Sequence, residues 1–330
     1  MTEIKVSIVC AVYNHGEYIR SCLEGFVSQK TDFAYEVLIH DDASTDGSAQ
    51  IIREFEEKYP NIVKPIYQTE NQYSKGVPIS LKYQFPRVNG KYVAFCEGDD
   101  YWIDEQKLQK QVDYMEAHPD CTFCFTNGYI KDLADDGKMR DFVPYNDDDA
   151  KTYTDESRVY TLNDMHEMTF VPTASYLLPT EILHRILPWL QEKCPTGDLR
   201  WRLYATACGY SYYFKDKACV YRQNVPGSAM TRWKKYTKRQ MYVHNQRIVN
   251  MILKLNELFD GKYEAAVEKI SYRYIRGLLF SASSFKVFKD DRNKRVYKSL
   301  AFSQKVKCVV KILTPEFALK LIRKVKKEVH

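Results

Sequence analysis

Residues 4–12 (Ile-Lys-Val-Ser-Ile-Val-Cys-Ala-Val) form a nearly continuous apolar run, the length and pattern of a strand buried on both faces. The period then changes. Between Glu17 and Gln29, Ile19, Leu23, Phe26 and Val27 recur at helical spacing. The same alternation predicts a strand at Glu36–His40, a helix from about Asp46 to Lys58 and a short strand near Ile62–Tyr67. After an irregular stretch from Gln68 to Gly76, a helix around Ile79–Phe85, a strand at Tyr92–Cys96, a helix over Asp104–Ala117 and a strand at Cys121–Asn127 follow. Strands alternating with helices predict an α/β fold: a Rossmann-like, mostly parallel sheet flanked by helices on both faces.

The periodicity lapses between Asp132 and Ser157, a polar, acidic stretch containing Asp147-Asp148-Asp149 that reads as an exposed loop with solvated carboxylates. Patterning resumes with a strand at Phe170–Leu178, a helix opening at Thr180 and a helix over Asp198–Cys208. Short strands near Tyr212–Phe214 and Ala218–Arg222 complete the sheet, and beyond Lys234 the chain reads as all helical. The expected organisation is a sheet domain over residues 1–230 and a C-terminal helical extension over 231–330.

Composition supports a globular reading: 330 residues with 45% hydrophobic content suffice for a large core. No apolar stretch reaches the ~20 residues that a membrane-spanning helix needs, and the start lacks the apolar core of a signal peptide, so a cytoplasmic location is expected. Nine scattered cysteines fit a reducing compartment better than a disulfide framework, and the Cys121/Cys124 pair, inside an apolar run, reads as buried strand. The overall charge of +6 is unevenly spread. From Lys262 to His330, 18 Lys and Arg stand against 6 Asp and Glu, which leaves the first 261 residues at −6. A negative body thus precedes a basic tail suited to acidic material such as anionic lipid.

The candidate chemistry sits where predicted strands end. Tyr92–Cys96 runs directly into Glu97-Gly98-Asp99-Asp100-Tyr101-Trp102. Three crowded carboxylates repel one another unless a cation with oxygen ligands, Mg²⁺ or Mn²⁺, compensates. In an open α/β sheet the carboxyl ends of strands are also where ligands bind. The first strand ends in Ala11-Val12-Tyr13-Asn14 and the second in Asp41-Asp42-Ala43-Ser44-Thr45-Asp46. Tyr13 is suited to lie against a planar base, an Asp of the 41/42 pair to accept from a uracil-type N–H, and Ser44 to cap the next helix.

These three segments, in this order and spacing over roughly residues 4–130, resemble the family 2 glycosyltransferases of the GT-A fold. The resemblance implies a nucleotide-sugar donor, most often UDP-linked, held by the first two motifs. It also implies a divalent metal held at an Asp-x-Asp-Asp motif. Here Glu97 replaces the first acid, so Asp99 and Asp100 are expected as metal ligands and Glu97 as a contact for the sugar or ribose. On this reading Ala11, Tyr13, Asn14, Asp41, Asp42, Ser44, Glu97, Gly98, Asp99 and Arg222 form the donor site. The donor half would be about residues 1–130 and the acceptor half 131–230.

The resemblance further implies an acidic residue before a helix as the base of an inverting transfer, and Gly197-Asp198 matches by type and position. Asp198 reads equally as a helix N-cap. Val220-Tyr221-Arg222-Gln223-Asn224 looks like the family's Tyr-Arg segment near the diphosphate. There Arg222 either clamps a phosphate oxygen in fork geometry or pairs with a site acid, and Asn224 stands where many relatives have histidine. Trp102 and Trp201 fit either an acceptor-sugar wall or the core.

From Lys305 to His330, Phe317, Leu321, Val325 and Val329 alternate with Lys320, Arg323, Lys324, Lys326 and Lys327, broken near Pro315. That pattern fits an amphipathic basic helix on an anionic bilayer or on the protein body. A glycan or lipid-linked acceptor, in cell-surface polysaccharide synthesis, suits such a placement. Two other readings of the chain are a sugar nucleotidyltransferase and a catalytically silent donor-binding subunit. The first lacks a basic loop at Tyr13–Tyr18, and a basic patch without a recognisable module gives no case for nucleic acid.

Overall fold

The computed structural model describes residues 3–151, 153, 155–192 and 194–314. The chain divides into two compact units: residues 1–193 with 201–225, and residues 194–200 with 226–330.

The first unit is built on one ten-stranded sheet. Its strands are β1 (Ile4–Val12), β2 (Ala34–Asp41), β3 (Val63–Tyr67), β4 (Tyr92–Phe95), β5 (Tyr101–Trp102), β6 (Cys121–Asp132), β7 (Lys138–Asp141), β8 (Arg158–Tyr160), β9 (Leu177–Pro179) and β10 (Tyr210–Gln223). The order is β3-β2-β1-β4-β9-β6-β10-β5, with β7 on β6 and β8 on β10. The four strands β3, β2, β1 and β4 run parallel. β9 is antiparallel to both β4 and β6, while β6 and β10 run parallel to each other. The helices are α1 (Ile19–Val27), α2 (Ser48–Lys58), α3 (Lys107–Ala117), α4 (Asp147–Ala150), α5 (Thr180–Leu190) and, from Trp201 on, α6 (Gly197–Cys208). The GT-A arrangement of a sheet flanked by helices is thus present.

Local chemistry explains the joins. Val6, Ile8, Cys10 and Val12 of β1 are buried with Ile19, Cys22, Leu23 and Phe26 of α1, the helical stripe that periodicity indicated. Gly25 lets α1 lie directly on β5, because a Cβ there would come within 2.7 Å of the Trp102 carbonyl oxygen. Several elements differ from the sequence expectation. Residues 80–87 form a π turn and a 3₁₀ turn rather than an α-helix, consistent with Pro86 lacking an amide hydrogen. The strand expected at Phe170–Leu178 shrinks to β9, preceded by a 3₁₀ turn at Thr173–Ser175, since Pro172 cannot donate to a ladder. The two short strands expected after Gly209 are one strand, β10, whose register shifts around Lys217 as it pairs with β6. The expected acidic loop contains β7 and α4, and Asp149 is buried, accepting from the Thr169 amide.

Trp102 is core rather than a sugar wall: it is buried and its indole N–H donates to the Ala174 carbonyl at 2.6 Å. Beside it lies Lys107, also buried, with Nζ 4.1 Å from the Trp102 ring centre and donating to Gln111 Oε1 at 2.8 Å. Burial lowers the Lys107 pKa from 10.5 to about 8. The folded state therefore holds this proton less tightly than the unfolded chain, so its contribution to stability rises as pH climbs from about 8 to 10.5. In Lys107→Met that rise, about 3 kcal/mol, should vanish from denaturant melts across this window. Wild-type and variant curves that stay parallel would refute the assignment.

The second unit is helical. It contains α7 (Ala229–Trp233), α8 (Lys238–Leu258), α9 (Glu264–Ser281), α10 (Asp291–Ser299) and α11 (Phe302–Leu313). Thr237 and Gln240 form a capping box at the start of α8. Val249, Ile275, Leu279, Val296, Leu300, Cys308 and Ile312 make its core. The expected basic tail helix is represented by α11 up to Leu313, and its continuation from Pro315 lies outside the described residues.

Candidate active site at the sheet's carboxyl edge

β4 delivers the acidic segment against the end of β1. The Cys96 amide donates to the Val9 carbonyl at 3.2 Å and the Gly98 amide to the Ala11 carbonyl at 3.0 Å. A turn closed by the Asp100 amide on the Glu97 carbonyl (3.0 Å) then folds the three acids together. Carboxylate oxygens of Glu97, Asp99 and Asp100 lie within 4.8 Å of one another, with Glu97 exposed, Asp99 half-buried and Asp100 buried. Desolvation, followed by repulsion from Asp99, pushes the Asp100 pKa well above the usual carboxylate range. Such a set of hard oxygen donors fits Mg²⁺ or Mn²⁺.

Gly98 is what the crowding permits: a Cβ would stand 2.9 Å from both His15 Nδ1 and Val12 Cγ2. Gly98→Ala should cost roughly 1–3 kcal/mol of stability by overpacking and weaken Mn²⁺ affinity by displacing the turn. Thermal melts with a Mn²⁺ titration check this, and unchanged values for both would show that the turn tolerates the methyl group.

Arg222, from β10, holds the acidic turn. Its amide donates to Asp100 Oδ1 at 2.8 Å, Nη1 to the Asp99 carbonyl at 2.6 Å and Nη2 to Ser21 Oγ at 2.7 Å. The guanidinium lies over the rings of Tyr101 (4.4 Å) and Tyr18 (5.2 Å). The guanidinium bonds go to the turn's backbone and to a hydroxyl, while the Arg222 amide bonds the Asp100 carboxylate and the side chain's positive charge favours that acid's ionised form, so Arg222 braces the acidic turn from beside a site acid. Ser21, on the exposed side of α1 in sequence terms, carried no signal of this contact. Asn224 adopts a left-handed backbone (φ 65°) and its side-chain amide donates to Asp132 Oδ1, which ties the ends of β10 and β6.

The β1 and β2 loops are laced together. Asn14, also left-handed (φ 55°), donates its amide to Ser44 Oγ at 2.9 Å and accepts from the Thr45 amide at 2.8 Å. Ser44 thus receives a cross-loop bond instead of capping a helix. Asp46 Oδ1 accepts from the Ser48 amide at 3.1 Å, while Oδ2 accepts from the Gly16 amide at 2.7 Å. The aspartate pair divides its work. Asp42 accepts from the amides of Gln72 (2.8 Å) and Tyr73 (3.0 Å), which fixes the segment after β3. Asp41 accepts from the Ser44 amide through Oδ2 (3.3 Å), and its buried Oδ1 has no hydrogen-bond partner among the described residues. A buried acceptor of this kind is costly without a donor, which makes Asp41 the member of the pair able to take one from a ligand.

Tyr13 is 46% exposed at this edge. His40 is buried, stacked on Tyr83 with ring centres 5.1 Å apart, and within 3.1 Å of Gln68 Nε2. It supports the same loops, and its place in an otherwise apolar strand was the available signal.

Trp201 of α6 packs on Phe85 and Phe95, ring centres 5.2 and 5.3 Å away, so an aromatic cluster backs the last residue of β4. Asp198 stands in the first turn of α6, within the stretch 194–200 that belongs to the second unit.

Residues 7–175 match the model of glycosyl transferase family 2. The chain belongs to this family, and its fold is the GT-A fold. A relative in Escherichia coli is UDP-Glc:alpha-D-GlcNAc-diphosphoundecaprenol beta-1,3-glucosyltransferase WfaP, 32% identical over 126 residues, 38% of this chain and 47% of that protein. The matched stretch covers between 16% and 58% of the length of the curated relatives, 39% for the mycobacterial ones. Among solved structures, S. aureus TarS 1–349 in complex with UDP-GlcNAc aligns over 93% of this chain and 79% of its own, with TM-score 0.57 and 18% identity. The mannosyltransferase PcManGT of Pyrobaculum calidifontis, in complex with GDP-Man and Mn²⁺, aligns over 93% and 84%, with TM-score 0.52 and 17% identity. Both share the fold.

Proposed function

We propose that this chain is a metal-dependent, inverting glycosyltransferase that moves a sugar from a nucleotide-diphosphate donor, a UDP-sugar first, to a hydroxyl of a glycan or lipid-linked acceptor. The observation that carries this reading is the cluster of Glu97, Asp99 and Asp100, with a buried, charge-disfavoured Asp100, at the carboxyl end of β4. Asp99 and Asp100 would hold Mn²⁺ or Mg²⁺. When bound, the cation neutralises charge on the departing diphosphate as a Lewis acid.

The chain's own residues do the rest. Tyr13 stacks on the base and Asp41 Oδ1 accepts from its N–H. Ala11, Asn14, Asp42 and Ser44 shape that pocket through the loop bonds described above. Gly98 lets the acidic turn close on His15 and Val12 so that the backbone at 97–99 can border the donor, Glu97 meets the sugar or ribose, and Arg222 fixes the acidic turn. Asp198 takes the proton of the attacking hydroxyl as its oxygen bonds the anomeric carbon and the bond to the diphosphate breaks. One displacement of this kind inverts the configuration.

Residues up to about 130 serve the donor and 131–230 the acceptor. UDP-Glc and a lipid-diphosphate acceptor in the name of the Escherichia coli relative support a role in cell-surface polysaccharide synthesis. No helix among the described residues is long and apolar enough to cross a membrane. A peripheral position on the inner face of the cell membrane, with the basic extension 231–330 as the contact, is part of the proposal.

The test is a thermal-shift series of UDP- and GDP-sugars with and without Mn²⁺. A donor at 100 times its dissociation constant stabilises the folded state by about 2.7 kcal/mol, a shift of several degrees. A donor shift that is the same with and without Mn²⁺, or no shift with any donor, would defeat the reading.

A further inference from the structure

α11 is built the wrong way round for a helix on a water-facing surface. Its inner face, Cys308 and Ile312, is buried in the core of the second unit, and Cys308 Sγ–H donates to the Leu279 carbonyl at 3.5 Å. Lys238 Nζ donates to the Lys311 carbonyl near the helix end. The outer face is apolar: Phe302 is 83% exposed, Leu313 65%, Val310 54% and Val306 46%. Spacings of four, four and three residues align these side chains in one stripe about 16 Å long. An exposed, contiguous apolar stripe of this kind marks an interaction surface.

Charge selects the occupant. Between Pro226 and Thr314 the sequence holds 20 Lys and Arg against 6 Asp and Glu. On α11 itself Lys307 is exposed and Lys305 and Lys311 are partly exposed. A second copy of this chain would bring the same positive surplus to the stripe. So would residues 315–330, with five Lys and Arg against two Glu. An anionic bilayer surface meets both demands, taking the apolar side chains below its headgroups and the lysines among its phosphates.

We infer that the Phe302/Val306/Val310/Leu313 face of α11 is a docking surface that seats this protein on anionic lipid. The inference rests on the peripheral placement proposed above and gives it a surface; it makes no use of the sugar chemistry.

Co-sedimentation of the full chain with vesicles tests it, comparing phosphatidylcholine alone with phosphatidylcholine containing about one third phosphatidylglycerol. Wild type should bind the anionic vesicles and lose binding at high salt. Phe302→Ser/Leu313→Ser, which removes apolar area without changing charge at exposed positions, should weaken partitioning at least tenfold. It should leave the melting temperature and the Mn²⁺-dependent donor shift unchanged. A full-length variant with Lys320, Arg323, Lys324, Lys326 and Lys327 changed to Gln separates the terminal residues from α11.

Unaltered binding by the Ser variant, or loss of binding in the Gln variant alone, overturns the inference while leaving peripheral placement intact. Failure of wild type to bind any vesicle overturns both. A wild-type dimer that the Ser variant converts to monomer without loss of vesicle binding assigns the stripe to self-association and also overturns it. The donor shift, read on the same samples, reports separately on the transferase reading.

Discussion

Asp100→Asn should abolish the Mn²⁺-dependent thermal shift with a nucleotide sugar and lower transfer by at least ~10³-fold, the equivalent of the several kcal/mol a Lewis acid supplies. In the absence of metal the same variant should be as stable as wild type or more stable, by up to ~2 kcal/mol. The opposite signs follow from the site. Asp100 is buried, its charged form is disfavoured by desolvation and then by Asp99, and an asparagine keeps the oxygen that accepts from the Arg222 amide. Asp99→Asn should lose the metal response in the same way, with a smaller change in metal-free stability because Asp99 is only half-buried. Metal-free melts, Mn²⁺ melts and transfer assays on both variants separate these effects. An Asp100→Asn protein that kept its Mn²⁺ response would remove Asp100 from the metal site.

Asp198→Asn should do something different: donor and Mn²⁺ should bind as in wild type, while turnover falls by roughly 10²- to 10⁴-fold, the usual worth of a general base. The loss should appear in kcat rather than KM, because the proton moves only as the transition state forms. Asn preserves the size of the side chain in the first turn of α6, so folding should survive. Normal turnover in this variant would reduce Asp198 to an acid in the first turn of a helix, where it favours the helix dipole.

Much of this was visible in the residues before any coordinates. The period-2 and period-3.6 stretches marked β1, α1, β2, α2, β3, β4, α3 and β6, because each buries a face whose pattern is written locally. The acids at 97, 99 and 100 were visible for the same reason: like charges directly after a buried strand are a local conflict. The division of roles within the site was not. Asp41 and Asp42 are adjacent and chemically identical, and only the fold gives Asp42 to the amides of Gln72 and Tyr73 while an oxygen of Asp41 has no partner among the described residues. Ser44 looked like a helix cap because its real partner, the Asn14 amide, is 30 residues away. Arg222 was readable as a phosphate clamp or as the partner of a site acid, and only the fold puts its fork on the Asp99 carbonyl and Ser21 and its amide on Asp100. Trp102 could have faced a ligand, but the pairing of β5 with β10 carries it inward.

Hydrophobic period and charge thus determine, residue by residue, that this chain makes an α/β sheet with an acidic strand end and a basic helical extension. They act over a few neighbouring positions and survive without a tertiary context. Which oxygen is left for a ligand, which guanidinium holds the acidic turn, and which face of α11 meets water depend on partners tens to hundreds of residues apart. Hydrogen-bond geometry and burial exist only once those partners are brought together, so the folded structure alone decides them.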